Sequence, residues 1–324
     1  MKPIRVTHAW MAALAIISLS ETALAQAPYP SQTIKIIVPN PPGGLPDTLT
    51  RIVGKRLHER MGQPVVVENR SGASGAIGAS AMLGAPADGY TFLVADGAFI
   101  TINPLLIAKL SYNPDDVLPV AMVAKAPLFL AVNPQVPAQN MQELIAYVKA
   151  NPGKLNYGSI GTGSFHHLTM EALKAALGLN MNHIPYKGSG EMVGALLGGH
   201  IDLMFAAYAG LRAGVETKKI NLFAASSGKR SPMAPDVPSA AEFAPGLDLA
   251  VIQGIMGRVG TSPVVVNKIV SEVAAIVKEP EVIQQFGIAG IEPAGAGSEE
   301  YQAALKNEAV RMKQVVQAAG LQPQ

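Results

Sequence analysis

The sequence predicts an α/β fold in which helices cover both faces of parallel or mixed sheets. Runs typical of strands alternate with runs typical of helices along almost the whole chain, which is the pattern of repeated βα units. The chain has 324 residues, a length that favours two such domains over one. It contains no cysteine. Its stability must therefore come from buried apolar side chains, and disulfides, thiolate metal sites and cysteine nucleophiles are excluded.

The first 25 residues have the pattern of an export signal. Lys2 and Arg5 precede an apolar stretch, 9–19, and a small-x-small cleavage site ends at Ala25. The stretch is shorter than the ~20 apolar residues that a membrane span needs. We expect cleavage near Ala25 and release into the periplasm without stable membrane insertion, with an uncleaved anchor as the alternative. Because the net charge is only +2 and no basic run is present, no nucleic-acid partner is expected.

The elements follow in order along the mature chain. Asp47 is the expected N-cap of the first helix, whose apolar face contains Leu49 and Leu57. Asn140 with Glu143 resembles a capping box, and Ser298 is the expected N-cap of the last helix. Apolar runs predict strands at 34–38, 65–67, 91–95, 128–132, 155–158, 183–185, 201–205 and 222–225. Helices are expected from 47, at 140–149, 165–177 and 191–197, near 211, and at 263–278 and 299–319.

The turn between the first strand and the first helix is the most informative segment. It reads Pro39-Asn40-Pro41-Pro42-Gly43-Gly44-Leu45-Pro46-Asp47. Its glycines let backbone N–H groups approach a ligand, and a helix start carries unpaired N–H groups with about half a positive charge. The segment therefore predicts an anion site, and an ordinary βα connection is the alternative.

Two later segments repeat this arrangement. The glycine- and serine-rich segment 159–164 again joins a predicted strand to a predicted helix, with His167 in the first turn of that helix. Lys187 lies in a third strand-to-helix segment, 186–190, where it could pair with a carboxylate or remain solvated. Helix starts that converge on one cleft would hold a small mono- or dicarboxylate without a buried arginine.

Catalytic and cofactor motifs are missing. The sequence contains no Gly-x-Ser-x-Gly elbow, no phosphate-binding P-loop and no dinucleotide fingerprint. Gly72, Gly75 and Gly78 recur every three positions, which favours a closely packed helix face. His166 and His167 point in different directions on a helix and do not predict a metal site. No cofactor is expected, and a hydrolase using Ser164 and His167 would lack an orienting acid.

An ordered set of motifs resembles the Bug family of solute receptors, the substrate-binding components of tripartite tricarboxylate transporters. The resemblance extends from about residue 29 to residue 320. The matching segments are 39–47, 62–70 (GQPVVVENR), 88–91 (DGYT), 152–157 (PGKLNY), 183–188 (HIPYKG), 198–204, 229–232 (KRSP) and 235–238 (PDVP). The set is specific although each segment alone is weak.

The resemblance implies a two-lobed periplasmic-binding-protein fold that closes over its ligand. Lobe 1 would comprise 26–127 plus 253–324 and lobe 2 would comprise 128–252, with the chain crossing near Pro127 and Gln253. It also implies that the two anion loops grip a ligand carboxylate. The ligand-binding residues nominated in this way are Asn40, Pro42, Gly43, Gly44, Leu45, Asp47, Asp96, Gly97, Ser159, Gly161, Thr162, Gly163, Ser164, Phe165, His167, Tyr186, Lys187 and Ala206.

The expected function is capture of a small organic carboxylate by a monomer that delivers it to transporter membrane subunits, not catalysis. The alternative is a ligand-dependent partner of a sensor kinase. Departures from the family pattern occur at Asn40, Leu45-Pro46, Phe165-His166 and Ala206-Ala207. The last departure removes an acid that could pair with a ligand amino group, which disfavours amino acids. Phe165 and a histidine near the mouth would suit an aromatic ring, and the alternative is that these side chains point into the core.

Overall fold

The computed structural model describes residues 28–323, so the predicted signal segment with its cleavage site at Ala25 lies outside the described residues. Gln32–Gln324 form one compact unit. Its strands are β1 (Ile34–Val38), β2 (Val65–Asn69), β3 (Thr91–Asp96), β4 (Val117–Val132), β5 (Asn156–Ser159), β6 (Asn182–Pro185), β7 (Leu203–Ala207), β8 (Asn221–Ala225), β9 (Ala250–Arg258) and β10 (Glu292–Ala296).

The helices of this unit alternate with the strands, as the pattern of βα units predicts. They are α1 (Leu45–Met61), α2 (Ala76–Leu83), α3 (Ala98–Thr101), α4 (Asn103–Leu106), α5 (Met141–Ala150), α6 (Phe165–Leu177), α7 (Ser189–Leu197), α8 (Tyr208–Glu216), α9 (Pro263–Ile276), α10 (Pro280–Ala289) and α11 (Ser298–Ala318). Short 3₁₀ turns occur at Ala73–Gly75, Pro114–Asp116 and Ala240–Glu242.

The strands form a mixed sheet with two halves. In the first half, β2, β1 and β3 are parallel, and β9 continues this half antiparallel to β3. In the second half, β7, β5 and β6 are parallel to one another. The long strand β4 belongs to both halves, because it pairs antiparallel with β9 and β10 and then with β7 and β8.

The partners of β4 change within one residue. Pro127 is opposite Ala250 of β9, whereas Leu128 is opposite Ala207 of β7. This change coincides with the predicted first crossing at Pro127. The chain returns to the first half of the sheet at Ala250 of β9, which lies three residues before the predicted second crossing at Gln253. The lobe boundaries themselves stay a prediction.

Helices cover both faces of the second half, as the alternation along β4 requires. Leu130 belongs to an apolar cluster with Leu168 and Leu173 of α6. Its neighbour Phe129 belongs to a different cluster, which contains Met192 of α7. A third cluster fills the first half of the unit between β1, β3, β9, α2 and α11.

The glycines at 75 and 78 pack closely, but the predicted common helix face is wrong because only Gly78 lies within α2 and Gly72 and Gly75 precede it. A Cβ at Gly78 would lie 2.8 Å from the Cβ of Pro39, and one at Gly75 would lie 2.5 Å from the ring of Phe99. The segment that contains Gly75 and Gly78 therefore packs against the start of the loop between β1 and α1.

Two predicted caps are wrong. Gly44, not Asp47, is the N-cap of α1, and Gly297, not Ser298, is the N-cap of α11. The Ser298 hydroxyl instead donates to the carbonyl oxygen of Pro119, at 2.6 Å. The cap of α5 is confirmed, since Asn140 Oδ1 accepts the N–H of Glu143 at 2.9 Å.

The sequence prediction misses β9, β10, α3, α4, α10 and the first two thirds of β4. The reason is visible in β9, where Gln253 and Gly254 interrupt the apolar run. Gly254 is required there because a Cβ would lie 2.4 Å from the ring of Tyr301. Packing against α11, a helix that follows later in the chain, therefore requires a glycine at position 254.

Candidate ligand-binding site

The loop between β1 and α1 is held by a buried carboxylate. Asp47 is 3% exposed and is the third residue of α1. Its Oδ2 accepts the N–H of Gly43 at 2.9 Å, so the carboxylate reaches back to the loop that precedes its own helix. Asp47 therefore holds the loop in place through the N–H of Gly43, and it is not the N-cap of α1.

Two further side chains complete the network around Asp47. Arg51, one turn later in α1, binds both carboxylate oxygens at 3.0 and 2.9 Å. Asn69, at the end of β2, donates to Asp47 Oδ1 at 2.9 Å and to the carbonyl oxygen of Asn40 at 3.0 Å. Burial raises the pKa of Asp47, but the hydrogen bonds from Arg51, Gly43 and Asn69 outweigh burial and place the pKa below its ordinary value. The carboxylate is ionised, and both of its oxygens accept hydrogen bonds from protein donors.

The loop between β5 and α6 is held by its own side chains. Ser164 is the N-cap of α6, and its Oγ accepts the N–H of His167 at 3.3 Å and donates to the carbonyl oxygen of Gly161 at 2.7 Å. Ser159 Oγ accepts the N–H of Gly161 at 3.1 Å. Gly161 and Gly163 adopt φ values of +118° and +77°, a region that favours glycine.

Two stacked histidines support this second loop from behind. The rings of His167 and His183 lie 3.9 Å apart at 17°, and both stack near Tyr157. Nδ1 of His167 accepts the N–H of Gly163 at 3.0 Å, and Nε2 of His183 lies 2.6 Å from Ser159 Oγ. Burial, together with the neighbouring His183 ring, lowers the pKa of His167 to about 4. His167 is thus neutral and positions the loop.

Both loops end in helix N-termini with unpaired donors. Within residues 28–323 the N–H groups of Gly44, Leu45 and Asp47 at α1 make no hydrogen bond. The same holds in this part of the chain for the N–H groups of Phe165 and His166 at α6. Such groups at the start of a helix are suited to bind an anion.

Apolar side chains next to both loops belong to one large apolar cluster. A Cβ at Gly163 would be 2.5 Å from Leu106 of α4, so α4 packs directly against the second loop. Phe165, the first residue of α6, is buried in this cluster, and Leu45 of α1 and Leu106 pack against it. The two predicted anion loops therefore border the same apolar cluster.

The remaining predicted residues occupy different environments. Asp96 ends β3, and its Oδ1 accepts the N–H of Ala98 at 3.1 Å, next to Gly97. Tyr186 is half-buried beside the second loop, since its N–H donates to the carbonyl oxygen of Ser159 at 2.8 Å. Lys187 is exposed, and Ala206 is 2% exposed within a cluster that Tyr186 joins.

Pro42 and Thr162 are exposed at the tips of the first and second loops. Sequence reasoning missed the residues that hold these loops. Arg51 could have been found from its i, i+4 spacing to Asp47. Asn69 and His183 lie in two of the matching motif segments, but their roles could not be predicted because only tertiary structure brings them to their partners.

Other features of the described chain do not compete with this site. A cavity of about 1050 Å³ lies elsewhere, lined mainly by 134–139, 220–223 and 233–237, and includes none of the nominated residues. Within residues 28–323 no group of three or more His, Asp or Glu side chains is arranged to hold a metal ion. No helix in that range has the length and apolar character needed to cross a bilayer.

Comparisons with solved structures define the class of protein. The R. palustris protein Rpa4515, solved with adipate, is similar with a TM-score of 0.81 and 32% identity, covering 91% of this chain and 100% of that chain. MatC from Rhodopseudomonas palustris, solved with bound malate, has a TM-score of 0.75 and 27% identity, covering 89% of this chain and 100% of that one. The fold is that of the two-lobed periplasmic solute-binding proteins.

The family follows from sequence comparison. A family model described as "Tripartite tricarboxylate transporter family receptor" matches residues 49–321, and the chain belongs to this family of periplasmic receptors. Protein BugT of Bordetella pertussis is 34% identical over 299 residues, which cover 90% of each chain. The Bug-family resemblance, the two-lobed α/β fold and the assignment as a receptor instead of an enzyme are confirmed.

Proposed function

We propose that this protein captures a small organic carboxylate and delivers it to the membrane subunits of a tripartite tricarboxylate transporter. The observation that carries the proposal is the pair of helix N-termini, at α1 and α6, where several backbone N–H groups make no hydrogen bond within residues 28–323. A carboxylate accepts several hydrogen bonds and carries the negative charge that such helix ends favour. Receptor-family membership supports it, as do the two structural neighbours that were solved with adipate and with bound malate.

The apolar side chains next to the two loops suggest which other groups the ligand carries. Leu45, Leu106 and Phe165 would contact carbon atoms, while backbone N–H groups bind the carboxylate. This division favours a carboxylate with an alkyl chain or an aromatic ring over a ligand covered with hydroxyl groups. The nominated contacts at the first loop, the second loop and the turn after β3 remain part of the proposal.

Export and assembly belong to the same proposal. The basic residues and apolar stretch before Ala25 support cleavage of a signal and work in the periplasm. A monomer would present one closed receptor to the membrane subunits.

Thermal unfolding against a panel of compounds tests the proposal. At about a hundredfold excess over Kd a true ligand stabilises the folded state by ~2.7 kcal/mol, which raises the melting temperature. We expect such a rise with at least one of adipate, malate and benzoate, and none with glucose or magnesium chloride. Stabilisation by the sugar or the cation, with none by any carboxylate, would contradict the proposal.

A further inference from the structure

A buried carboxyl group lies directly beneath the turn that follows β3. Glu308, in α11, is 2% exposed, and its Oε1 lies 2.7 Å from the Oγ1 of Thr101 in α3. Glu308 and Leu305 of α11 pack tightly against the turn, since a Cβ at Gly97 would lie 2.8 Å from Glu308 Oε1 and 2.4 Å from the Leu305 side chain. Glu308 thus touches the backbone at one of the nominated site residues.

The contact leaves Glu308 without a counter-charge. Glu308 is buried and makes no ion pair within residues 28–323, and its side-chain hydrogen bond there is to Thr101. A buried carboxylate without a charged partner is costly, so this environment favours the neutral acid. The protonated acid donates to Thr101 Oγ1, and the Thr101 hydroxyl then donates to the carbonyl oxygen of Gly97, 3.1 Å away. That carbonyl also accepts the backbone N–H groups of Ile100 and Thr101.

The surroundings of Glu308 favour the protonated form. Burial is the main cause that raises the pKa of Glu308 to about 7, and the nearby Asp96 carboxyl at the end of β3 raises it too. The hydrogen bond with Thr101 and the charge of Arg311 lower the pKa of Glu308. Tyr301, also in α11, interacts with both carboxyls, and its buried hydroxyl has no hydrogen-bond partner within residues 28–323.

We propose that Glu308 is a proton-bearing positioning residue of the ligand site, which holds the Gly97–Thr101 turn and links carboxylate capture to retention of its proton. The proposal rests on the proposed function, because it takes this turn as one wall of the carboxylate site. Loss of the proton turns the Thr101 hydroxyl from the Gly97 carbonyl towards Glu308 and places a buried negative charge under that wall. Carboxylate affinity then falls as the pH rises.

Calorimetric titrations between pH 6 and pH 9 test this inference. The probe is whichever of adipate, malate and benzoate binds most tightly, and the proteins are wild type, Glu308→Gln and the control Glu300→Gln, which changes an exposed residue of the same helix. We expect Kd to rise roughly fivefold or more across this range for wild type and for the control. For Glu308→Gln, whose amide does not titrate, we expect a nearly constant Kd.

A second measurement needs only the wild-type protein. Titration near pH 7.5 in buffers of different ionisation enthalpy gives the number of protons taken up on binding, and we expect net uptake. Tight binding with no proton uptake, or parallel pH profiles for wild type and Glu308→Gln, would overturn the role of Glu308 while leaving the proposed function intact. Failure of all three probes to bind at any pH would overturn both.

Discussion

Replacing Asp47 by alanine is expected to lower the free energy of unfolding by about 2–4 kcal/mol, because hydrogen bonds to a charged acceptor contribute about 1.5–3 kcal/mol each and several are lost together. The N–H of Gly43 and the amide of Asn69 lose their acceptor, and Arg51 loses both contacts. The loop would no longer be held in place. We therefore also expect carboxylate affinity to fall at least roughly tenfold, equivalent to about 1.4 kcal/mol.

Chemical denaturation and calorimetry of Asp47→Ala measure these two effects. Asp115→Ala is the matched control, since Asp115 is exposed and its carboxylate makes no hydrogen bond or ion pair within residues 28–323. The folded pKa of Asp47 lies below its ordinary value, so its contribution is present above that ordinary value and is lost as the pH falls through the lowered one. Wild-type stability and affinity in Asp47→Ala would contradict the account of the loop.

Acidification is expected to destabilise the protein through His167. Its pKa is lowered from 6.5 to about 4, so stability is complete above pH 6.5 and is lost progressively as the pH falls through about 4. The loss amounts to about 2–3 kcal/mol. Protonation of Nδ1 would remove the acceptor of the Gly163 N–H and place a charge 3.9 Å from the His183 ring.

The variant His167→Asn isolates this effect, because the asparagine Oδ1 can replace Nδ1 as acceptor and cannot be protonated. We expect His167→Asn to show a smaller loss of unfolding free energy between pH 7 and pH 4 than wild type. His200→Asn, a change at an exposed histidine, should behave as wild type. Equal pH dependence in His167→Asn and wild type would show that His167 is not the titrating group.

Local sequence patterns predicted the parts of the fold that neighbouring residues determine. The loop before α1, the cap at Asn140 and the helix start at Ser164 all depend on residues within a few positions of one another. The chemistry of the two anion loops was accessible for the same reason, since glycines and a following helix are visible in the sequence.

Long-range contacts determined what the sequence did not reveal. The N-cap prediction for Asp47 is wrong because the role of this residue depends on Asn69, which is distant in sequence, as well as on Gly43. Glu308 was not nominated, because its partner Thr101 lies 207 positions earlier in the chain. A buried glutamate on a polar helix has no local signature, and only packing against the turn after β3 gives it a role.

Calorimetry of Gly44→Val tests most directly whether the two loops bind a carboxylate. Gly44 has φ −73°, which any residue adopts, and a Cβ would meet nothing closer than 3.7 Å, so the fold should survive. The valine side chain would crowd the N–H groups at the start of α1. For the tightest-binding carboxylate of the panel, we expect binding to be abolished in Gly44→Val and unchanged in Gly287→Val, at an exposed helical glycine. Unchanged affinity in Gly44→Val would contradict the account and remove this loop from the site.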